Sequence, residues 1–192
     1  MMTFEEIFAE HAAVAARAAA ELPPVLRRIS AVLLECLVRG GKVLACGNGG
    51  SAAQAQHLAA ELVGRFQGER RALPALSLTA DTATLTSLAN DYGYERVFAR
   101  QIEALARDGD VLFAISTSGN SASVVQAAVS ARQRACTVIA LTGARGGSLA
   151  EHADLLLAAP SASVARIQEM HALCVHALVD TLESALRARG QA

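Results

Sequence analysis

The 192-residue sequence contains no tryptophan, and aromatic side chains make up only 4% of it. Stacking platforms for single-stranded nucleic acid are therefore scarce. Neither sign of charge dominates: the formal net charge is −1, which argues against a large phosphate-backbone footprint. One local basic group, Arg65 with Arg70 and Arg71, is left to meet a small anion. No apolar run approaches the ~20 residues of a membrane span. The chain starts with Glu5, Glu6 and Glu10 where a secretion signal would be basic. The four cysteines, Cys36, Cys46, Cys136 and Cys174, form no CxxC pair, so neither a zinc finger nor a dithiol redox centre is indicated. They read as small buried hydrophobes. The expectation is a cytoplasmic protein with reduced thiols and neither a membrane nor a nucleic-acid partner.

What the chain has in quantity is apolar surface, at 53% of residues, much of it alanine. Residues 4–21 carry apolar side chains at helical spacing, and Pro23-Pro24 ends that segment. A second helix is predicted from Val25 to Val38, stopping at Gly40-Gly41. Short β-branched or leucine-rich runs then alternate with helical stretches. The predicted strands are 42–46, 74–79, 111–116, 137–142 and 154–158. The predicted helices are 51–66, 95–107, 121–134, a short one at 147–152, and a long last one at 164–188. Strands apolar on both faces, alternating with helices, indicate a parallel sheet covered on both sides. The fold expected is α/β: a three-layer, doubly wound, five-stranded parallel sheet of flavodoxin-like type. Residues 1–192 form a single domain, with 1–39 as an N-terminal helical extension. Ligands of such sheets sit beyond the carboxyl ends of the strands.

Two strand-to-helix turns fit an anion. Cys46-Gly47-Asn48-Gly49-Gly50-Ser51 follows the first strand, and its glycines let the backbone approach a ligand closely. Ser116-Thr117-Ser118-Gly119-Asn120-Ser121 follows the third and brings hydroxyls and main-chain donors together without a cation. Free N–H groups at a helix start favour negative charge. Either loop alone is also explained by turn geometry. The first fits a loose dinucleotide pattern, Gly47-x-Gly49-x-x-Ala52, but the acidic residue that reading needs, Asp81, comes late. The second loop has no place in it. No Gly-Lys-Ser/Thr follows the glycines, which excludes a P-loop.

The helix after the first loop carries His57 and Glu61, an i,i+4 pair on one face, with Arg65 one turn further along the same stripe. The competing reading is a surface stripe with an ordinary Glu61–Arg65 ion pair. The last helix carries Gln168 and His176, about 80° and ~12 Å apart along it. Both can reach one cleft, but spacing does not establish a shared metal. His171 points elsewhere and reads as structural or as part of an interface. His152 and His11 read as ordinary surface or packing residues.

Taken together, CGNGGS (46–51), HLAAELVGRF (57–66), ANDYGYE (89–95), GDVLFAISTSGNS (109–121), LTGARGG (141–147) and RIQEMHALCVH (166–176) resemble the sugar isomerase (SIS) domain, and within it the phosphoheptose isomerase family. The resemblance spans nearly the whole chain. It implies that Asn48, Gly49, Gly50 and Ser51 line a substrate cleft, and that Ser116, Thr117, Ser118 and Ser121 hold a phosphate. It implies sugar-hydroxyl contacts from Asn90 and Asp91, and a substrate-binding place for Arg65 and Gln168. Glu61 would be the general base and His176 the general acid. His57, Glu61, Gln168 and His176 match positions that bind Zn2+ in some relatives, and no nucleotide cofactor is implied. Family members are homotetramers whose sites are completed by neighbouring subunits. The implied reaction converts sedoheptulose 7-phosphate to D-glycero-D-manno-heptose 7-phosphate for bacterial surface-glycan synthesis. One departure is visible: where the family often reads DRIQE, this chain has Ala165, which bears on one hydroxyl contact and so on the sugar.

A different class competes. SIS proteins related to DiaA bind the replication initiator DnaA without catalysis, and ARIQEMH (165–171) is similar to that branch. Such a protein should lack the base and the acid, whereas Glu61 and His176 are both present here.

Overall fold

The computed structural model describes residues 2–190. Two helices come first, α1 (Phe4–Glu21) and α2 (Pro23–Val38). Thr3 caps α1 by a reciprocal box with Glu6, which satisfies two donors the first turn would leave bare. Pro23 and Pro24 lie inside the first turn of α2 rather than in a linker. A missing N–H costs nothing there, because that group has no intrahelical acceptor. Only Leu22 separates the two helices, and it is buried.

The remaining elements are β1 (Val43–Gly47), α3 (Gly50–Val63), β2 (Ala75–Ser77), α4 (Thr82–Tyr92), α5 (Val97–Leu105), β3 (Val111–Ile115), α6 (Ala122–Gln133), β4 (Thr137–Gly143), β5 (Leu155–Ala159) and α7 (Val164–Ala188). Short 3-10 turns occupy Tyr94–Arg96 and Ser148–His152. All strands pair in parallel, in the order β2-β1-β3-β4-β5. The doubly wound sheet expected from the alternation is thus present. One apolar core joins α1, α2, α3 and α7 to one sheet face; a second joins α5 and α6 to the other, with Leu85 and Leu88 of α4 at its margin.

Two departures from the predicted helices bear on the site. Helix α4 was not anticipated: none of its residues is buried, and its threonine-rich turns carry only a thin apolar stripe. Its start is fixed by Asp81, which accepts from the Thr84 N–H at 3.1 Å. Helix α3 stops at Val63, capped by Gly64, and not at residue 66. Arg65 therefore leaves the His57–Glu61 stripe.

Candidate active site

Because α3 follows β1 and α7 follows β5 on the same face of a parallel sheet, the two helices run in the same direction side by side. This brings His57 and His176, 119 positions apart, into register. His57 and Glu61, one turn apart on α3, are joined by Nε2–Oε1 at 3.0 Å. His176 of α7 puts its Nε2 3.2 Å from that of His57. The two imidazoles meet edge to face, with centroids 4.8 Å apart. The ligand atoms of His57, Glu61 and His176 all lie within 4.8 Å of one another. A separation of Glu61 from His176 would have ended the isomerase reading; the fold puts them together.

The cluster is accessible, with the His57 and Glu61 side chains 37% and 21% exposed. Its protonation is constrained by geometry. His57 Nε2 faces a carboxylate oxygen and a second imidazole nitrogen at once, so one proton on it can be shared between two acceptors. Alternatively, both nitrogens and the carboxylate can turn lone pairs to one cation. Two imidazoles and a carboxylate are a donor set that suits a divalent metal with an open position. Phe66, just beyond α3, stacks on the outer face of His176, with centroids 5.3 Å apart and planes 22° apart.

The loops at 46–51 and 116–121 emerge at the carboxyl ends of adjacent strands, β1 and β3, where the strand order switches direction. Asn48 joins them: its Nδ2 donates to Ser123 Oγ at 3.0 Å, and its Oδ1 accepts from the Tyr94 hydroxyl at 2.8 Å. In the second loop, Ser116 and Ser121 hydroxyls lie 3.1 Å apart. Gly119 holds φ +69°, and a Cβ there would collide with the carbonyl of Gly146, so only glycine fits this turn. Asn120 pins the loop to Ser148, accepting from its N–H at 2.9 Å. A cavity of about 320 Å3 opens beside this loop, lined by Thr117, Ser118, Asn120, Arg145 and Ser161 among others.

Other expected site residues are placed less simply. The Gln168 side chain lies against Gly50, at the start of α3, whereas His57 and Glu61 sit two to three turns further along. Its backbone carbonyl accepts from Gln54 Nε2 at 2.6 Å. Asn90 and Asp91 are exposed near the end of α4 and hydrogen-bond to each other at 2.8 Å. Arg65 is exposed and approaches Glu69 at 3.9 Å instead of pairing with Glu61.

The suggested basic cluster does not form an anion site. Arg70 is buried, and its guanidinium is used up by Glu183 and four main-chain carbonyls. Arg71 turns to the Leu37 carbonyl. His11 also has a partner after all: its Nδ1 is 2.7 Å from Glu169, which Arg166 joins to Glu10 on α1. His171 is fully buried, with Nε2 3.0 Å from the Thr142 carbonyl. Burial pushes its pKa down to about 4, although that hydrogen bond pulls the other way. It is therefore neutral at pH 7 and donates from Nε2. All four cysteines are free and buried, and desolvation pushes the Cys46 thiol up to about 12.

Three residues that the sequence reading did not single out prove central: Phe66, Tyr94 and Ser123. Phe66 and Tyr94 sat inside the segments that carried the resemblance, and the scarcity of aromatics was the signal that could have marked them.

Known proteins resemble the chain over most of its length. The SIS domain family model matches residues 6–143. The chain is 55% identical over 172 residues to the phosphoheptose isomerase of Thiobacillus denitrificans, covering 88% of this chain and 87% of that one. It is 49% identical over 193 residues to that of Neisseria gonorrhoeae, covering 97% and 98%. The solved phosphoheptose isomerase from Francisella tularensis superposes with a TM-score of 0.92 at 39% identity, covering 96% of this chain and all of that one. The solved structure of GmhA from Neisseria gonorrhoeae gives 0.87 at 47% identity, covering 92% and 95%.

Proposed function

Since the chain belongs to the SIS-domain family and, within it, to the phosphoheptose isomerases, we propose that it interconverts sedoheptulose 7-phosphate and D-glycero-D-manno-heptose 7-phosphate, with Glu61 as base and His176 as acid. The observation that carries this reading is the joining of a carboxylate and two imidazoles, from helices distant in sequence, next to two donor-rich loops.

Isomerisation requires removal of a proton beside the carbonyl and protonation of the carbonyl oxygen, giving an enediol. A proton then leaves the other hydroxyl and one returns to the former carbonyl carbon. Glu61 takes the C1 proton of the ketose. His176 supplies a proton to the oxygen on C2. Groups within 4.8 Å of one another can serve two bonded carbons, since a base or acid must come within hydrogen-bond reach of its target. His57 orients the Glu61 carboxylate by its 3.0 Å contact. The loop at 116–121 holds the phosphate with neutral hydroxyl and main-chain donors, and fixing that end brings the reacting carbons to Glu61 and His176. Asn48 lines the sugar chain, held by Tyr94 and Ser123. Asn90 and Asp91 contact sugar hydroxyls, and Arg65 meets substrate from the loop after α3.

His57, Glu61 and His176 would hold a zinc ion, with Gln168 swinging from Gly50 as a further ligand. Bound there, zinc would act as a Lewis acid on the carbonyl. The donor set fits that ion, and the proton roles above are those of the side chains themselves.

We further propose that residues 1–192 act as one domain and assemble as a homotetramer in the cytoplasm, with α1 and α2 contributing to packing between subunits. Phe4 and Phe8 on α1 are 80% and 73% exposed, which is unusual for side chains of that size. The four free thiols suit a reducing compartment. No helix among the described residues is long and apolar enough to cross a membrane.

The test is to incubate the purified protein with sedoheptulose 7-phosphate and follow aldose formation. Turnover that needs both Glu61 and His176 supports the assignment. An inactive wild type would favour a non-catalytic SIS protein that binds the replication initiator, in keeping with Ala165.

A further inference from the structure

Seven residues beyond His176 on α7, two turns along the same face, lies Glu183. Its side chain is 4% exposed, and that of its partner Arg70 is 1% exposed. The Glu183 carboxylate accepts the main-chain N–H groups of Phe66 at 2.8 Å, Gln67 at 3.2 Å and Gly68 at 3.1 Å, and Arg70 Nε at 2.9 Å. Arg70 also donates to the end of α3: Nη2 to the carbonyl of Glu61 at 2.5 Å, and Nη1 to those of Leu62 at 2.9 Å and Gly64 at 3.2 Å. These are carbonyls a helix terminus leaves without intrahelical partners. The ion pair thus holds the peptide of Glu61 at one end. At the other it holds the turn whose Phe66 ring stacks on His176.

We propose that Arg70 and Glu183, acting through Phe66, are positioning residues for the isomerisation, setting the separation of Glu61 from His176 and the plane of the His176 ring. This rests on the proposed roles of Glu61 and His176. The arrangement is more specific than core packing requires. A buried charge pair is an inefficient way to add stability, because desolvation offsets much of the attraction. Here the pair collects three consecutive loop amides and the main chain of the base. Phe66 needs only its flat face to hold the imidazole. The phosphate loop at 116–121 belongs to β3 and α6, away from these contacts, so substrate affinity should be spared. A sub-ångström error in the acid or base is enough to slow the chemical step.

The experiment compares Phe66→Leu, Phe66→Tyr and Glu183→Gln for kcat and KM with sedoheptulose 7-phosphate. In parallel, the His176 Cε1–H resonance is followed in protein carrying 13C-histidine and assigned by its disappearance in His176→Gln. An aromatic ring stacked on the imidazole shifts that resonance upfield. Phe66→Leu is expected to lower kcat about tenfold, keep KM within about twofold and move the resonance downfield. Phe66→Tyr restores both. Glu183→Gln lowers kcat and moves the same resonance. If Glu183→Gln does not fold, Glu183→Asp, shorter by one methylene, takes its place. Folded Phe66→Leu with wild-type kcat and an unmoved resonance overturns the proposal. So does a folded Glu183 variant that leaves both readouts unchanged. If Glu61→Gln and His176→Gln remain active, the catalytic assignment fails instead, while the resonance still reports whether Phe66 holds the ring.

Discussion

The seam between α3 and α7 contains two polar clusters that look alike in composition and are built in opposite ways. Toward the far end of the helices, Arg70 and Glu183 are buried, and both heads are fully hydrogen-bonded. About two turns nearer the strand ends, His57, Glu61 and His176 are open to solvent, and Glu61 makes one side-chain hydrogen bond. The difference separates structure from chemistry. A charge whose every lone pair is occupied rigidifies its surroundings and cannot exchange protons easily. A charge with spare capacity in an accessible cleft can bind and react. Burial by itself would push the Glu183 carboxyl up, but the amides of Phe66, Gly68 and Gln67 together with Arg70 hold it down at about 2.

That contrast is broken first at Glu61. Replacement by Gln should lower kcat about 10³-fold, within the usual span for losing a general base, and leave the melting temperature close to wild type. A steady-state assay beside a thermal melt checks both. Arg70→Met should differ in stability, costing about 3–5 kcal/mol by leaving a buried carboxylate unpaired, as read from urea unfolding, besides lowering kcat through the loosened Phe66 turn. Adding Glu183→Leu to it should not restore stability, because the three loop amides would then lose their acceptor.

Acid should expose the buried groups in turn. His171 is held at about 4, below its ordinary 6.5, so the unfolded chain takes up its proton first. Stability is then lost as pH falls from about 6.5 to 4. Glu183 is held at about 2, below its ordinary 4.5. Its contribution is complete above about 4.5 and lost on further acidification toward 2. Urea midpoints measured across this range should fall in two stages, and His171→Gln should remove the upper one. The smallest effect expected is that of Arg65→Gln, which should raise KM a few-fold without changing kcat. Its only ion-pair contact among the described residues is a 3.9 Å approach to Glu69, so stability should not change.

The sheet was legible because all residues of β1 and β3 and nearly all of β4 are buried, and their unbroken apolar runs say so. Helices α1 and α7 were legible at both ends. Helix α4 was not, because a helix resting on the surface with Thr82, Thr84 and Thr86 offers little pattern to read. The pairing of His57 with Glu61 was visible as an i,i+4 spacing. The meeting with His176, 119 residues away, came only through the motif resemblance, since nothing local encodes it. Arg70 shows the limit from the other side. In sequence it is one of three neighbouring arginines, and only its partner 113 residues on turns an apparent anion site into a brace.

Deuterium wash-in from heavy water is the most direct measurement of the central claim. With sedoheptulose 7-phosphate, the wild type should place solvent deuterium on C1 of the ketose and C2 of the aldose, and Glu61→Gln should abolish that exchange along with turnover. Wash-in at the wild-type rate in Glu61→Gln, or conversion by the wild type with no deuterium incorporated, would contradict it.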